Sequence, residues 1–202
     1  MRAVERGGRA LVEKRLRDPR RHDAEALALR AVAGSGIPVP ELVDVQQGSI
    51  LMTRMPGERL DDVAPDVRID GLRASAALLR RLHELEPPPG LPAAPDDAAI
   101  IRRYRDSGGP PLPLVVPAAA PPVFCHGDWG DGNLLWAPGR ITAVLDWEKA
   151  HLGDPLREVA RAAWGAARKD PRSFAAIATG YGTDPDALRP WLPIHAAELW
   201  LW

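Results

Sequence analysis

A predicted β-hairpin flanked by polar residues constrains the fold of this chain more than any other feature of the sequence. Residues 133–136 and 141–147 are apolar enough to form two strands, and residues 137–140, Ala-Pro-Gly-Arg, have the composition of a turn. Side chains alternate along strands, so Asp146 is expected on the same face of the hairpin as Asn133. The pattern therefore places a carboxylate and an amide oxygen close together at the open end of the hairpin.

This placement depends on the register of the hairpin. A four-residue turn pairs Trp136 with Ile141 and Asn133 with Val144. A slip of one residue would move Asp146 to the opposite face and separate it from Asn133. The register is therefore the first structural test of the predicted site.

The polar residues of this stretch have the chemistry of a phosphoryl-transfer site. Oxygen ligands such as those of Asn133 and Asp146 suit Mg²⁺, which takes one or two protein carboxylates and completes its shell with water and phosphate. Asp128, in the loop just before the hairpin, supplies a further carboxylate. A carboxylate free of the metal can accept the proton of a substrate hydroxyl, and phosphoryl transfer needs little beyond positioning, charge neutralisation and such a base.

The order of the other elements predicts an α+β fold. Gly7-Gly8 marks the turn of an N-terminal hairpin over residues 1–16, and apolar spacing predicts a helix from about residue 21 to 32. Strands and helices then follow without a βαβ alternation. The remaining predicted strands cover 41–45 and 49–55, and the remaining predicted helices cover 69–86, 99–105, 154–168, 172–180 and 185–202.

Composition excludes several classes of partner. The 26 Lys and Arg residues are matched by 27 Asp and Glu residues, so no basic surplus points to nucleic acid or to an anionic membrane. Cys125 is the only cysteine, which rules out an internal disulfide. The sequence contains neither a signal-peptide pattern nor an apolar run of about 20 residues. We therefore expect a cytoplasmic protein, and the sequence leaves its oligomeric state open.

His126-Gly-Asp128, followed by Asn133 and then by Asp146 after a hairpin, resembles the catalytic loop and metal-binding aspartate of the aminoglycoside phosphotransferase and choline kinase-like family. The resemblance implies a two-lobed fold like that of the protein kinases, with a catalytic hairpin in the larger, helical lobe. It also implies that Asp128 is the catalytic base and that Asn133 and Asp146 are Mg²⁺ ligands. The implied activity is transfer of the γ-phosphoryl group of ATP or GTP to a hydroxyl of a small molecule, with aminoglycosides among the candidates.

The N-terminal part of the chain is similar to the same family in residue order. Lys14 lies on what resembles the strand that carries the phosphate-binding lysine, and Glu25, on the next helix, resembles its ion-pair partner. Arg15 is the competing cation, but it points to the opposite face of the strand. Thr53 and Met55 resemble the hinge, where the backbone C=O and N–H would bind the adenine edge.

The resemblance also implies a division of the chain. Residues 1–57 correspond to the smaller, nucleotide-binding lobe with the hinge, and residues 58–202 to the helical lobe with the catalytic loop. His126 is interpreted as structural support for that loop, and Asp154 as the N-cap of the next helix. The Gly-rich hairpin of the family and its last helices have no counterpart in the sequence, so we expect a chain truncated at both ends.

Three alternatives remain open on the sequence alone. Asp128, Asp131 and Asn133 have the residue types of ordinary turns. A metal-dependent hydrolase is disfavoured because the five histidines are scattered and no His cluster follows the motif. A kinase-like module that binds a nucleotide or a protein without turnover is compatible with the missing Gly-rich hairpin. Neither the acceptor nor the choice between ATP and GTP is fixed by the sequence.

Overall fold

A four-stranded antiparallel sheet forms the N-terminal part of the protein. The computed structural model describes residues 1–202. The sheet has the strand order β1-β2-β4-β3, and the Gly7-Gly8 turn connects its first two strands as predicted. Its strands are β1 Arg2–Arg6, β2 Arg9–Arg15, β3 Leu42–Gln46 and β4 Ser49–Thr53.

Helix α1, Pro19–Val32, connects the second and third strands of this sheet. Asp18 caps the helix by accepting a hydrogen bond from the Arg20 N–H, and Pro19 occupies the first turn, where its missing N–H costs nothing. Leu29 and Val32 are buried in the main hydrophobic core. The helix therefore joins the sheet to the rest of the molecule.

Helices dominate the remainder of the chain and enclose most of the core. Helix α2, Pro65–His83, packs along α5, Arg172–Tyr181, and buries Leu72, Leu79 and Leu82. The other helices are α3 Asp97–Asp106, α4 Pro155–Ala167, α6 Pro185–Leu188 and α7 Leu192–Trp200. None of the helices has both the length and the apolar character needed to cross a membrane.

Two small sheets hold the predicted motif between the helices. One has the order β5-β7-β8 and the other pairs β6 with β9, both antiparallel. The strands are β5 Glu58–Arg59, β6 Val123–Cys125, β7 Leu134–Ala137, β8 Arg140–Val144 and β9 His151–Gly153. The motif that begins at His126 thus starts directly after β6 and continues through the β7-β8 hairpin.

The register of the β7-β8 hairpin differs from the prediction by one residue at its open end. Trp136 pairs with Ile141 as predicted, but a bulge at Thr142 then shifts the ladder, so that Leu134 rather than Asn133 pairs with Val144. The Thr142 hydroxyl donates to the Pro56 C=O at 2.6 Å, which connects the bulge to the segment after β4. The hairpin sequence alone did not predict the bulge, because Thr142 bonds to a residue 86 positions away in the chain.

The α+β fold class predicted from the sequence is confirmed. Residues 108–122 form no helix or strand, in agreement with their proline content. The single helix predicted over 185–202 is wrong, because the chain forms α6, a 3-10 turn at Arg189–Trp191 and α7 instead. Pro190 and Pro193 interrupt the helix, since proline lacks the N–H that a continuous helix requires.

Candidate active site

A cluster of ion pairs around Lys14 brings together three distant parts of the chain. The Lys14 ammonium lies 2.7 Å from Glu25 Oε2, 2.6 Å from Asp146 Oδ1 and 3.1 Å from Glu148 Oε2. The three carboxylates lie close enough together to share a metal ion. Lys14, Glu25 and Asp146 were singled out in the sequence, and the structure places them in direct contact.

The alternation of strand β2 explains why Lys14 rather than Arg15 enters this cluster. The Lys14 side chain is 9 % exposed and the Arg15 side chain 76 %. Burial alone would lower the pKa of Lys14, but the neighbouring charges of Glu25 and Asp146 outweigh that effect and raise the pKa. Lys14 is therefore a charged side chain held inside the protein by carboxylates.

Asp146 has an unusual backbone conformation. Its φ of 63° makes it the only residue other than glycine with a positive φ. Such a conformation costs about 1–3 kcal/mol and is concentrated at functional sites. It turns the carboxylate towards Lys14 directly after the end of β8, where a continued strand would carry the side chain elsewhere.

Asn133 lies next to this segment across the hairpin. The Leu145 N–H donates to the Asn133 C=O at 2.8 Å, which fixes residue 133 opposite the residue before Asp146. The Asn133 Nδ2 donates to the Asp128 C=O at 3.0 Å, so the amide oxygen is left free for another partner. The side chains of Asn133 and Asp146 are not hydrogen-bonded to each other. The two residues are near each other because the backbone of Asn133 pairs with that of Leu145.

Asp128 is held between two cations. Its Oδ2 lies 2.9 Å from Lys149 Nζ, and its Oδ1 lies 3.4 Å from Arg161 Nη2. The side chain remains 33 % exposed, so it is accessible from the adjacent cavity. A carboxylate oriented by cations in an accessible cavity is well placed to accept a proton.

His126 supports the loop from inside, as the sequence analysis proposed. Its Nδ1 accepts a hydrogen bond from the Asp128 N–H at 3.1 Å, so Nε2 carries the proton and donates to the Leu145 C=O at 2.9 Å. The ring packs against Trp147 at a centroid distance of 4.6 Å. Burial lowers the pKa of His126, although Glu158 and Asp128 act in the opposite direction. Neutral His126 thus connects the loop at Asp128 to the backbone of Leu145, the residue before Asp146.

Glu158 anchors the same loop and was not singled out in the sequence. The backbone N–H groups of His126 and Gly127 donate to its carboxylate, and the His83 Nε2 lies 2.9 Å from Oε2. Burial would raise the pKa of Glu158, but the hydrogen bond and charge of His83, together with His126, lower it to about 2. Its position on the first turn of α4 after Asp154-Pro155 is the only local signal in the sequence.

Glu148 and Lys149 were also missed by the sequence analysis. Glu148 bonds to Lys14 and, at 2.8 Å, to Arg21, whereas Lys149 bonds to Asp128. Both residues follow Asp146 within three positions, which is the only signal that could have identified them. Their partners are more than twenty residues away in the chain, so sequence spacing alone could not reveal these contacts.

Asp154 caps helix α4, as predicted. Its Oδ1 accepts hydrogen bonds from the N–H groups of Leu156 and Arg157, and its Oδ2 accepts one from the Ala120 N–H at 2.7 Å. The last contact also fixes the proline-rich segment before β6. Both carboxylate oxygens of Asp154 therefore accept hydrogen bonds from the backbone, in agreement with its interpretation as a helix cap.

The segment after β4 leaves two backbone groups available. The Glu41 N–H donates to the Thr53 hydroxyl at 2.8 Å rather than to the Thr53 carbonyl, while the Thr53 N–H donates to the Glu41 C=O. The Met55 N–H makes no hydrogen bond within the chain. An acceptor and a donor are thus present at the two residues that the sequence analysis assigned to a hinge.

A cavity of about 620 Å³ opens beside the loop that contains Asp128. Asp128, Trp129 and Asn133 line it from the motif, and Lys149 lines it from the segment after Asp146. Helix α4 and the C-terminal helix α7 provide most of the remaining wall. The cavity is large enough for a small-molecule substrate.

Curated proteins similar to this chain include two of very different length. The chain is 28 % identical over 175 residues to acyl-CoA dehydrogenase family member 10 of Mus musculus, and this match covers 68 % of the chain but 16 % of that protein. It is 54 % identical over 35 residues to hygromycin-B 4-O-kinase of Escherichia coli. The second match covers 17 % of the chain and 10 % of the kinase. The chain thus spans only a small part of both curated relatives.

Solved structures with the same fold include several kinases that act on small molecules. An aminoglycoside-3'-phosphotransferase of type VIII superposes with a TM-score of 0.72 at 21 % identity, over 96 % of this chain and 87 % of that one. Choline kinase LicA from Streptococcus pneumoniae gives a TM-score of 0.69 at 15 % identity, over 99 % and 79 %. A streptomycin-ATP-APH(2")-IIa ternary complex gives 0.67 at 14 % identity, over 94 % and 82 %. These likenesses confirm the two-lobed, protein-kinase-like fold.

A family model covers nearly the whole chain. The model described as "Phosphotransferase enzyme family" matches residues 2–191. The matched range includes the Lys14 cluster, the β7-β8 hairpin and most of the cavity wall.

Proposed function

This chain belongs to the phosphotransferase enzyme family, and we propose that it transfers the γ-phosphoryl group of ATP or GTP to a hydroxyl of a small molecule. The observation that carries the proposal is the cluster of Lys14 with Glu25 and Asp146. The pair of lysine and helix glutamate is the arrangement with which kinases hold the phosphates of a nucleotide. Asp128 and an open cavity lie beside the segment that contains Asp146.

The donor set around the motif fits Mg²⁺. Asn133 and Asp146 would hold the ion, since the amide oxygen of Asn133 is free and carboxylate oxygens are preferred by this hard cation. When bound, Mg²⁺ neutralises charge on the β- and γ-phosphates. Glu148 offers a further carboxylate beside Asp146.

Lys14 is proposed to bind the α- and β-phosphates. It is already charged, and Glu25 restrains it from the side of α1. A restrained ammonium loses less conformational freedom on binding phosphate than a mobile surface lysine. Glu25 is therefore a positioning residue that acts through Lys14.

Asp128 is proposed to accept the proton of the acceptor hydroxyl. Its carboxylate is accessible from the cavity, and the hydrogen bond from its N–H to His126 fixes the loop that carries it. Lys149 and Arg161 keep the side chain oriented. General-base assistance of this kind contributes roughly 10²–10⁴-fold to a rate.

The Thr53 C=O and Met55 N–H are proposed to bind the edge of the purine. One acceptor and one donor two residues apart match the edge of adenine, and both are free of other hydrogen bonds along this segment. The proposed division into a smaller lobe at 1–57 and a helical lobe at 58–202 places these groups at the junction.

The test combines nucleotide binding with turnover. Thermal unfolding of the purified chain is followed with Mg²⁺ and AMP-PNP or GMP-PNP, and ADP or GDP formation is measured with a panel of hydroxyl compounds. We expect Mg²⁺-dependent stabilisation and acceptor-dependent nucleotide turnover. Stabilisation without turnover on any acceptor would favour a kinase-like module that binds a nucleotide, and no response to either nucleotide would contradict the kinase function.

A further inference from the structure

The charge distribution of the cavity beside Asp128 indicates which class of acceptor it takes. Four cationic side chains line this cavity: Arg103, Lys149, Arg161 and Arg168. Arg103 and Arg168 are exposed and form no ion pair with any carboxylate of the chain. Arg161 is 42 % exposed and makes only one long contact, to Asp128. Most of the guanidinium donors in the cavity are therefore free to bind a ligand.

The carboxylates of the same cavity are not free. Three of them line it, and each already forms an ion pair at 3.0 Å or less. The pairs are Asp128 with Lys149 at 2.9 Å, Asp131 with Lys169 at 3.0 Å and Glu198 with Arg157 at 2.6 Å. A cationic ligand would have to displace these partners before it could form ion pairs of its own.

Helix α4 and the residue at its C-cap carry two of the four cations on one face. Arg161, Trp164 and Arg168 are separated by three and four residues, so they lie along one side of the helix, and all three line the cavity. The Arg168 guanidinium lies 5.8 Å from the centroid of the Trp164 ring. The face thus combines an aromatic surface with an arginine on either side of it.

From this arrangement we infer that the acceptor is a hydroxyl compound that also carries a carboxylate or phosphate group. Arg161 and Arg168 bind that anionic group, Trp164 packs against the body of the molecule, and the hydroxyl faces Asp128. Guanidinium groups suit both carboxylate and phosphate because they can donate two parallel hydrogen bonds. The inference rests on the proposed kinase function, and it disfavours polycationic acceptors such as aminoglycosides.

A matched series of sugars tests the inference directly. Binding of glucuronate, glucose and glucosamine to the full chain saturated with Mg²⁺ and AMP-PNP is measured by calorimetry, since these sugars differ mainly in charge. We expect glucuronate to bind about tenfold or more tightly than glucose, the factor that one charge-assisted hydrogen bond provides, and glucosamine to bind most weakly. Glucose 6-phosphate, run in parallel, distinguishes phosphate from carboxylate recognition. Tighter binding of glucosamine, or no difference among the sugars, would overturn the inference.

Variants locate the effect on helix α4. Arg161→Gln and Arg168→Gln should each reduce the preference for glucuronate over glucose by about tenfold. Arg102→Gln is the matched control, because Arg102 is 66 % exposed on α3 and does not line the cavity. An unchanged preference in both α4 variants would contradict the assignment.

A measurement without any acceptor keeps the two proposals separable. The fluorescence of Trp164, obtained as the difference between the wild-type chain and Trp164→Phe, is quenched with iodide and with caesium. The ratio of the iodide and caesium quenching constants is compared with the ratio for N-acetyltryptophanamide, because iodide quenches free indole more efficiently than caesium does. We expect a larger ratio for Trp164 than for the free indole, and a smaller ratio in Arg161→Gln/Arg168→Gln than in the wild type. A Trp164 ratio equal to or below that of the free indole would refute the cationic cavity, whereas a missing thermal shift with Mg²⁺ and AMP-PNP would refute the kinase function alone.

Discussion

Lys14 Nζ lies 2.6 Å from Asp146 Oδ1, although 132 residues separate the two in the chain. The contact joins the N-terminal sheet to the segment that follows the β7-β8 hairpin. Glu25 and Glu148 complete the cluster from helix α1 and from the same segment as Asp146. The proposed phosphate-binding cation and a proposed metal ligand are therefore in direct contact in the protein without nucleotide.

Replacing Lys14 should lower the stability of the protein. Lys14→Met leaves Glu25 buried without a cation, which should lower the free energy of unfolding by about 3–5 kcal/mol. Urea unfolding measures this loss, and Arg15→Met on the exposed face of the same strand is the control. The double variant Lys14→Met/Glu25→Met should recover part of the stability, because it removes the unpaired charge. Equal stability of Lys14→Met and the wild type would contradict the ion-pair cluster.

Asp128→Asn should separate catalysis from binding. The amide cannot accept a proton from the acceptor, so we expect turnover to fall by roughly 10²–10⁴-fold. The thermal shift with Mg²⁺ and AMP-PNP should persist, because Asp128 bonds to Lys149 and Arg161 rather than to Lys14. Asp106→Asn, at an exposed position on α3, is the control. Turnover comparable to wild type would show that Asp128 is not the base.

Asp146→Asn should weaken the binding of Mg²⁺. Loss of one carboxylate ligand should raise the Mg²⁺ concentration needed for half of the nucleotide-induced thermal shift by about tenfold or more. Asn133→Ala should act in the same direction, since its free amide oxygen is the second proposed ligand. An Mg²⁺ titration that is unchanged in both variants would exclude this pair as the metal site.

Glu158→Ala should loosen the loop that contains Asp128. The change leaves the N–H groups of His126 and Gly127 and the imidazole of His83 without their common acceptor. We expect a loss of about 3–5 kcal/mol in the free energy of unfolding, as for other broken buried pairs. Glu84→Ala, where the side chain is 66 % exposed, should change stability by less than about 0.5 kcal/mol. A small effect at both positions would show that the loop does not depend on Glu158.

Acid should destabilise the protein through His126. Burial keeps its pKa below the ordinary value of 6.5, so below that pH the unfolded chain binds a proton that the folded chain does not. The free energy of unfolding should therefore fall as the pH decreases from 6.5, by at most about 1.4 kcal/mol per pH unit from this group. Urea unfolding at about pH 7 and about pH 5.5 measures the loss. His126→Gln should lose less over the same interval, and an identical loss would assign the effect to other groups.

Local chemistry made part of the site predictable. The period of strand β2 selects Lys14 over Arg15, and Asp154-Pro155 has the residue types of a helix start. The hairpin itself followed from apolar runs around a Pro-Gly turn. Its register at the open end did not follow, because the bulge at Thr142 depends on a hydrogen bond to the distant Pro56.

By itself, the amino-acid sequence determined the α+β class, the hairpin, the residue types of a phosphoryl-transfer site and the family resemblance. These features depend on neighbouring residues, whose spacing is fixed by helix and strand geometry. Only the tertiary structure decided that Glu148 joins Glu25 and Asp146 in pairing with Lys14. It also decided that Lys149 pairs with Asp128 and that Glu158 accepts hydrogen bonds from the loop at His126. Such contacts form between segments far apart in the chain, and the packing of the whole core determines which charged side chains meet.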